Sequence, residues 1–218
     1  MRAIAVNGSP RKNWNTASLL EKALAGAAQC GAQTELAHLY DYNFKGCISC
    51  FSCKETGGKS YGRCAVKDEL TPLIDRVLEA DVLLLGTPVY FGCETGEMRS
   101  FLERFLFPFS TYTPGYGSIF AGKHRVGLVY TMNTCEKDLA ARNYDRVFAT
   151  SQSILTRILG NCEVFLCTDT YQFSDYSKYL STCWDAAAKK KRREEVFPED
   201  CRRAFDLGVK LASGASGS

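Results

Sequence analysis

Histidine is almost missing from this chain: there are two, His38 and His124, among 218 residues. Each stands beside a strand-like run, so Ser-His-Asp hydrolysis and His-rich metal centres have little material to work with. Long apolar stretches are missing too. The opening run, Ala3-Ile4-Ala5-Val6, is far too short for a secretory leader, and no segment approaches membrane-spanning length. Nor is there a surplus of either charge. A formal net charge of +3 is too small for a nucleic-acid footprint. The one basic run, Lys189 to Arg193, is followed at once by Glu194-Glu195 and reads as a solvated helical face. A cytoplasmic protein is expected, with no membrane and no nucleic acid among its partners. No linker-like stretch divides the chain, so one domain over residues 1–212 is expected, with a disordered Ser/Gly-rich tail at 213–218.

Cysteine is present in excess. Eleven residues, an odd number with irregular spacing, argue against a disulfide framework. Cys162, Cys167, Cys183 and Cys201 sit among apolar or helical neighbours and read as inert small hydrophobes. Cys47, Cys50, Cys53 and Cys64 lie instead in an irregular segment, Gly46 to Cys64.

The stretch Asn7 to Ser18 follows the first apolar run and leads into Leu20, Ala23, Leu24, Ala27 and Ala28 at helical spacing, so it is a strand-to-helix turn. It gathers hydroxyls (Ser9, Thr16, Ser18), an amide (Asn15) and a fixed cation (Arg11). No acidic side chain intrudes before Glu21. Unpaired N–H groups at a helix start, hydroxyls and an arginine are what a phosphate needs. A polar turn with an N-cap and one solvated Arg is the plainer alternative.

Further on, Thr34–Leu39 reads as an edge strand, Val82–Leu85 and Val126–Tyr130 as buried parallel strands, and Val164–Cys167 as a fifth. Helical patterns separate them, at 70–78, 98–106 and 144–158, and a last one spans 199–211 after Pro198. Residues 171–196 are ambiguous but partly helical. Strands alternating with helices indicate a doubly wound α/β parallel sheet with helices on both faces, whose ligands sit beyond the carboxyl ends of the strands. The loops Thr87-Pro88-Val89-Tyr90-Phe91-Gly92 and Thr131-Met132-Asn133-Thr134 fall there, with the Asn7–Ser18 loop. A phosphate site beside an aromatic Gly/Pro loop suits a mononucleotide with a planar head, such as FMN. The aromatic segment 108–122 is long for a passive connection and suits a lid or a subunit interface.

Gly-Ser-Pro-Arg near the start, Gly46-Cys47-x-x-Cys50-x-x-Cys53, and Thr-Pro-Val-Tyr-Phe-Gly followed by Glu97-Met98-Arg99-Ser100-Phe101-Leu102-Glu103-Arg104 together resemble the NADPH-dependent FMN reductase family of flavodoxin-like proteins, closest to its iron–sulfur flavoproteins. The resemblance covers roughly residues 1–167. It implies a flavodoxin-like five-stranded sheet of order 2-1-3-4-5, bound FMN, NAD(P)H as co-substrate, and a homodimer or homotetramer in which a neighbouring subunit helps cover the flavin. By matching position, Ser9, Arg11, Asn15 and Thr16 would bind the phosphate, and Pro88, Val89, Tyr90, Phe91 and Gly92 would line the isoalloxazine; Ser18, Thr87, Thr131, Met132 and Asn133 complete the candidate set. Cys47, Cys50 and Cys53 at a period of three can wrap one face of a cubane, with Cys64 available as fourth ligand. Ten residues separate Cys53 from Cys64, and spacing alone leaves a [4Fe-4S] cluster, structural zinc and free thiols all open.

The expected function is electron transfer from NAD(P)H through flavin to a small molecule, a protein acceptor or an iron–sulfur centre. The flavin carries the chemistry, so no acid or base residue is singled out. An FMN electron carrier without NAD(P)H turnover is the near alternative. A distant one is a cysteine phosphatase, since Cys93 to Ser100 matches C-x5-R-S; Glu94 and Glu97 would place carboxylates against its dianion. A redox or metal-binding module centred on the cysteine loop is a third.

Overall fold

The computed structural model describes residues 1–214. Five strands form one parallel sheet: β1 (Arg2–Asn7), β2 (Gln33–His38), β3 (Val82–Pro88), β4 (Arg125–Thr131) and β5 (Glu163–Cys167), in the order β2-β1-β3-β4-β5. The flavodoxin-like order expected from the resemblance is the observed one. Alternation along the strands divides the core into two layers. Ile4, Val6, Leu83, Leu85 and Leu128 face the helices α2 (Thr71–Leu78), α3 (Gly96–Leu106) and α4 (Tyr144–Leu159). Ala3, Ala5, Leu84 and Val129 face α1 (Asn15–Gln29) and α6 (Phe197–Ser213) on the other side. The continuous apolar runs of β1, β3 and β4 follow from this double burial, whereas β2 at the edge keeps Glu35, which pairs with Arg2 and Arg76.

Element boundaries fall within two or three residues of the sequence expectation, and the largest surprises lie after β5. There the chain crosses an irregular strap before α5 (Ala186–Glu195), the helix that carries the basic run. That run is not a uniformly solvated face: Lys189 is buried, and Arg192 pairs with the buried Asp200. Only Lys190 and Lys191 behave as expected, each with an exposed Glu four residues on. Cys183 is exposed, against its reading as a packed small hydrophobe, whereas Cys167 is fully buried. Helix α6 runs through Ser213 to a left-handed cap at Gly214, which corrects the expected tail at those two positions; residues 215–218 lie outside the described ones. No helix is long and apolar enough to cross a membrane among the described residues.

His124 shows what the scarcity of histidine leaves: a core residue. Its Nδ1 lies 2.6 Å from the Ala80 carbonyl, which fixes the proton there, and its Nε2 is buried without a partner among the described residues. Burial pushes its pKa below 6.5. The unfolded chain therefore binds more protons than the native one below about pH 6.5, so this residue's contribution is complete above that value and is lost as pH falls. His38 is shifted the same way by burial. We expect the urea midpoint to fall between pH 7.5 and 5.5, and His124→Phe to flatten that fall while leaving the His38 share. An unchanged slope in the variant would remove His124 from the account.

Candidate functional site

The carboxyl ends of β1, β3 and β4 open on a cleft of about 240 Å³. Ser9, Arg11, Trp14, Asn15 and Thr16 form one wall, Pro88, Val89 and Tyr90 a second, and Thr131 to Thr134 the floor between them. Helix α1 starts here with no side-chain cap and no acidic residue in its first turn. Its first helical hydrogen bond is from Ser18 N–H to Trp14 O at 2.9 Å, so the amides of residues 15–17 precede the helical ladder. Such a helix start attracts an anion. The loop before it is held by its own side chains: Asn7 Oδ1 accepts from Ser9 N–H at 2.9 Å, and Ser9 Oγ from Arg11 N–H at 3.1 Å.

Within this wall the candidates divide. Thr16 and Thr131 share a hydrogen bond between hydroxyls at 2.7 Å across the cleft floor. The Asn15 carboxamide is occupied by the protein, donating to Tyr171 O at 2.9 Å and accepting from Arg193 at 2.7 Å, which leaves chiefly its backbone N–H for a ligand. Arg11 donates to Gln172 O at 2.6 Å and lies over the Trp14 ring. Ser18, one turn into the helix, is not part of the cleft wall. Neither is Thr87, which is fully buried: its hydroxyl accepts from Thr95 N–H and so fixes the start of α3.

The β3 loop turns sharply at Phe91 and Gly92, with φ of 51° and 89°. A Cβ on Gly92 would come within 3.0 Å of the Tyr144 ring, so only glycine lets the loop pack under that cleft residue. The same turn throws Phe91 entirely into solvent and leaves Tyr90 half exposed at the rim. Phe91 and Gly92 thus border the cleft rather than line it. Behind the loop, the buried Glu94 accepts hydrogen bonds from Tyr130 and from Ser151, the latter at 2.6 Å. Burial, reinforced by this carboxylate, pushes the Tyr130 hydroxyl far above its ordinary pKa.

The C-x5-R-S stretch does not form a phosphate loop. Arg99 lies on α3, its N–H bonded to Thr95 O and its guanidinium 3.6 Å from Glu94. The Cys93 thiol donates to Tyr90 O.

Sequence reasoning misses Trp14, Tyr144, Thr170, Tyr171 and Gln172. Tyr171 and Gln172 belong to the strap after β5. Tyr171 stacks with Trp14 at a ring separation of 6.4 Å and accepts from its indole N–H at 3.2 Å. Trp14, inside the loop already singled out, carries the available signal; the strap has no periodicity to reveal it. The aromatic segment 108–122 lies at the far end of α3, packs Phe109 and Phe120 against the core, and shares no wall with the cleft.

The cysteine loop lies along the C-terminal half of α3, beside Ser100, Glu103 and Arg104, none of which lines the cleft. Cys47, Cys50, Cys53 and Cys64 line one pocket there, with Arg104 and Phe107. The ten-residue insertion does not carry Cys64 away, because it closes on itself: Gly62 N–H donates to Cys53 O at 3.0 Å. Arg104, 1% exposed, ties both ends of the loop by donating to Lys45 O, Val66 O, Asp68 and the Cys64 sulfur, the last at 3.0 Å. Burial alone would raise the Asp68 carboxyl, but Arg104 outweighs it and holds the group below its usual range. The loop is tied to α3 at Cys47, whose N–H donates to Glu103 Oε2 at 3.1 Å. The hydrogen bond from Ser52 N–H lowers the Cys50 thiol, and burial raises that of Cys53. An all-thiol donor set in one pocket fits an iron–sulfur cluster. The four are free cysteines, however, and no three His, Cys, Asp or Glu side chains are gathered as metal ligands among the described residues.

A sequence model of the family described as NADPH-dependent FMN reductase matches residues 1–134. An iron–sulfur flavoprotein of Methanocaldococcus jannaschii is 36% identical over 104 residues, covering 48% of this chain and 51% of that protein. One of Archaeoglobus fulgidus is also 36% identical over 104 residues, 48% of each chain. The chain spans about half the length of the curated relatives it matches. Among solved structures, an NAD(P)H:quinone oxidoreductase from Methanothermobacter marburgensis aligns with a TM-score of 0.71 at 15% identity, over 97% of this chain and 98% of that one. An azoreductase from Bacillus anthracis aligns at 0.66 and 14%, over 96% and 100%. Identities this low establish the shared fold alone.

Proposed function

The chain belongs to the NADPH-dependent FMN reductase family of flavoprotein oxidoreductases, and we propose that it takes electrons from NAD(P)H onto bound FMN and passes them to a small or protein acceptor. The observation that carries this reading is the uncapped start of α1, opening without an acidic neighbour on the cleft beside Pro88 to Tyr90. The amides of residues 15–17, Ser9 and Thr16 would hold the phosphate, with Arg11 as its counter-charge. Pro88, Val89 and Tyr90 would lie along the ring, and Thr131 to Asn133 beneath it. Bound FMN would supply the hydride and electron chemistry, so these residues need only bind, orient and exclude water. Trp14 and the Tyr171 strap close one side of the cleft. On the other, the exposed Phe91 and Tyr90 rim suits coverage by a second copy, as a homodimer or homotetramer would provide.

Cys47, Cys50, Cys53 and Cys64 would hold a [4Fe-4S] cluster as a second redox centre. The names of the two archaeal relatives and the closure of the insertion support this assignment. The test is a spectrum of anaerobically purified protein before and after NADPH. Flavin bands near about 370 and 450 nm that bleach on NADPH are expected, with a shoulder near about 400 nm lost in air. Protein that stays colourless after incubation with FMN would overturn the flavin reading, and flavin bands that NADPH leaves intact would leave an electron carrier instead.

A further inference from the structure

The cleft floor is held from outside the sheet. Lys189, in the middle of α5, is 5% exposed although it belongs to a run of five basic residues. Its Nζ donates to the Asn133 carbonyl at 2.9 Å and pairs with the Asp169 carboxylate. Asp169, at φ 53°, donates its N–H to Thr134 O at 2.9 Å, and Thr170 donates to Met132 O at 2.9 Å. Three consecutive carbonyls of the loop, at 132, 133 and 134, are thus each fixed by a donor beyond β5. The Asn133 side chain is set just as firmly, with Nδ2 donating to Gln172 Oε1 at 2.9 Å. Its Oδ1 remains buried with no partner among the described residues.

A buried acceptor without a donor is costly, and Asn133 lines the cleft, where a ligand can supply that donor. We propose that Lys189 is a positioning residue of this site, clamping the Met132–Thr134 backbone so that the Asn133 carboxamide accepts a hydrogen bond from an N–H or O–H of the bound cofactor. The inference rests on the FMN reading above. Asp169 balances the ammonium, so the clamp orders the floor without adding net charge to it; the Cys135 thiol faces the same carboxylate. Lys190 and Lys191 are the internal contrast, exposed on the same helix and paired only with Glu194 and Glu195.

The test is a double-mutant cycle on the full chain, reading FMN dissociation constants from flavin fluorescence for wild type, Lys189→Met, Asn133→Leu and the double variant. Each single change is expected to weaken FMN by about tenfold, the scale of one hydrogen bond. The double variant is expected to bind no more weakly than Asn133→Leu alone, because Lys189 acts through Asn133. Lys190→Met should leave the constant unchanged. Wild-type protein that binds no FMN would overturn the flavin reading itself. Wild-type protein that binds, with Lys189→Met equally tight or with the two losses multiplying in the double variant, would overturn the role of Lys189. Should Lys189→Met fail to fold, Lys189→Met/Asp169→Asn, which leaves no unpaired charge, takes its place in the cycle with the same outcomes.

Discussion

Gly208→Ala is expected to destabilise the protein by about 3 kcal/mol or more, because one added methyl collides with backbone that has nowhere to go. A Cβ at this position would lie 1.8 Å from the Ala23 carbonyl oxygen and 2.6 Å from its carbon. The contact is reciprocal: a Cβ on Gly26 would lie 2.0 Å from Phe205 O. Helices α1 and α6 therefore meet backbone to backbone through these two glycines, and among the described residues no other pair of elements packs so extensively. For a chain of this length the cost corresponds to a fall in melting temperature of roughly 6–12 °C. Two glycines are internal controls. Gly96 opens α3 with nothing within 4 Å of an added methyl, so Gly96→Ala should be neutral or slightly stabilising. Gly31 also has open space but stands at φ 82°, so Gly31→Ala should cost only the backbone strain, about 1 kcal/mol. If all three substitutions gave similar melting temperatures, close α1–α6 packing would not be what holds this layer. Because α1 begins at the cleft, Gly208→Ala should also weaken FMN binding at temperatures where the variant is still folded.

The sheet is legible in the sequence because burial on both faces writes itself as uninterrupted apolar residues: Val82 to Leu85 and Val126 to Tyr130 have no other simple reading. The candidate anion loop is legible for a similar reason, since hydroxyls, an amide and an arginine without carboxylates are unusual just ahead of a helix. Helix phase is harder to apply. Thr16 and Ser18 look alike in the sequence, but two residues rotate a side chain by about 200°, which turns one to the cleft and the other away. Phe91 reads as a ring to stack on a ring, yet the left-handed turn beside Gly92 points it into water. Lys189 is indistinguishable in sequence from its four basic neighbours, because what separates it is a carboxylate twenty positions earlier and a carbonyl fifty-six positions earlier. Distance along the chain also hides Tyr171 and Arg193, whose partners Trp14 and Asn15 are more than 150 residues away. Likewise the ten residues between Cys53 and Cys64 leave the place of Cys64 open in the sequence, and the hydrogen bond from Gly62 back to Cys53 shows that segment returning to its start.

Thr16→Asp should abolish tight FMN binding at a far smaller cost to the empty protein, and the gap between the two losses is the point. Thr16 is the second residue of α1 and is buried, so the favourable interaction of a carboxylate with the helix dipole offsets only part of its desolvation. It can also accept the Thr131 hydroxyl that Thr16 now engages. Toward a phosphate the same carboxylate is repulsive. Two unit charges about 4 Å apart interact by about 4 kcal/mol at the effective dielectric of a protein surface, and a dianion roughly doubles this. The dissociation constant for FMN should therefore rise by at least about a thousandfold. Riboflavin, which carries the same ring and ribityl chain but no phosphate, should lose far less, and Thr16→Val, which removes the hydroxyl without adding charge, should cost both ligands about tenfold or less. Titration of flavin fluorescence with each ligand, beside the melting temperature of the apo-protein, separates charge from shape. Equal losses for FMN and riboflavin in Thr16→Asp would mean that the phosphate does not lie at the start of α1, and the cleft would then have to bind its ligand in another orientation.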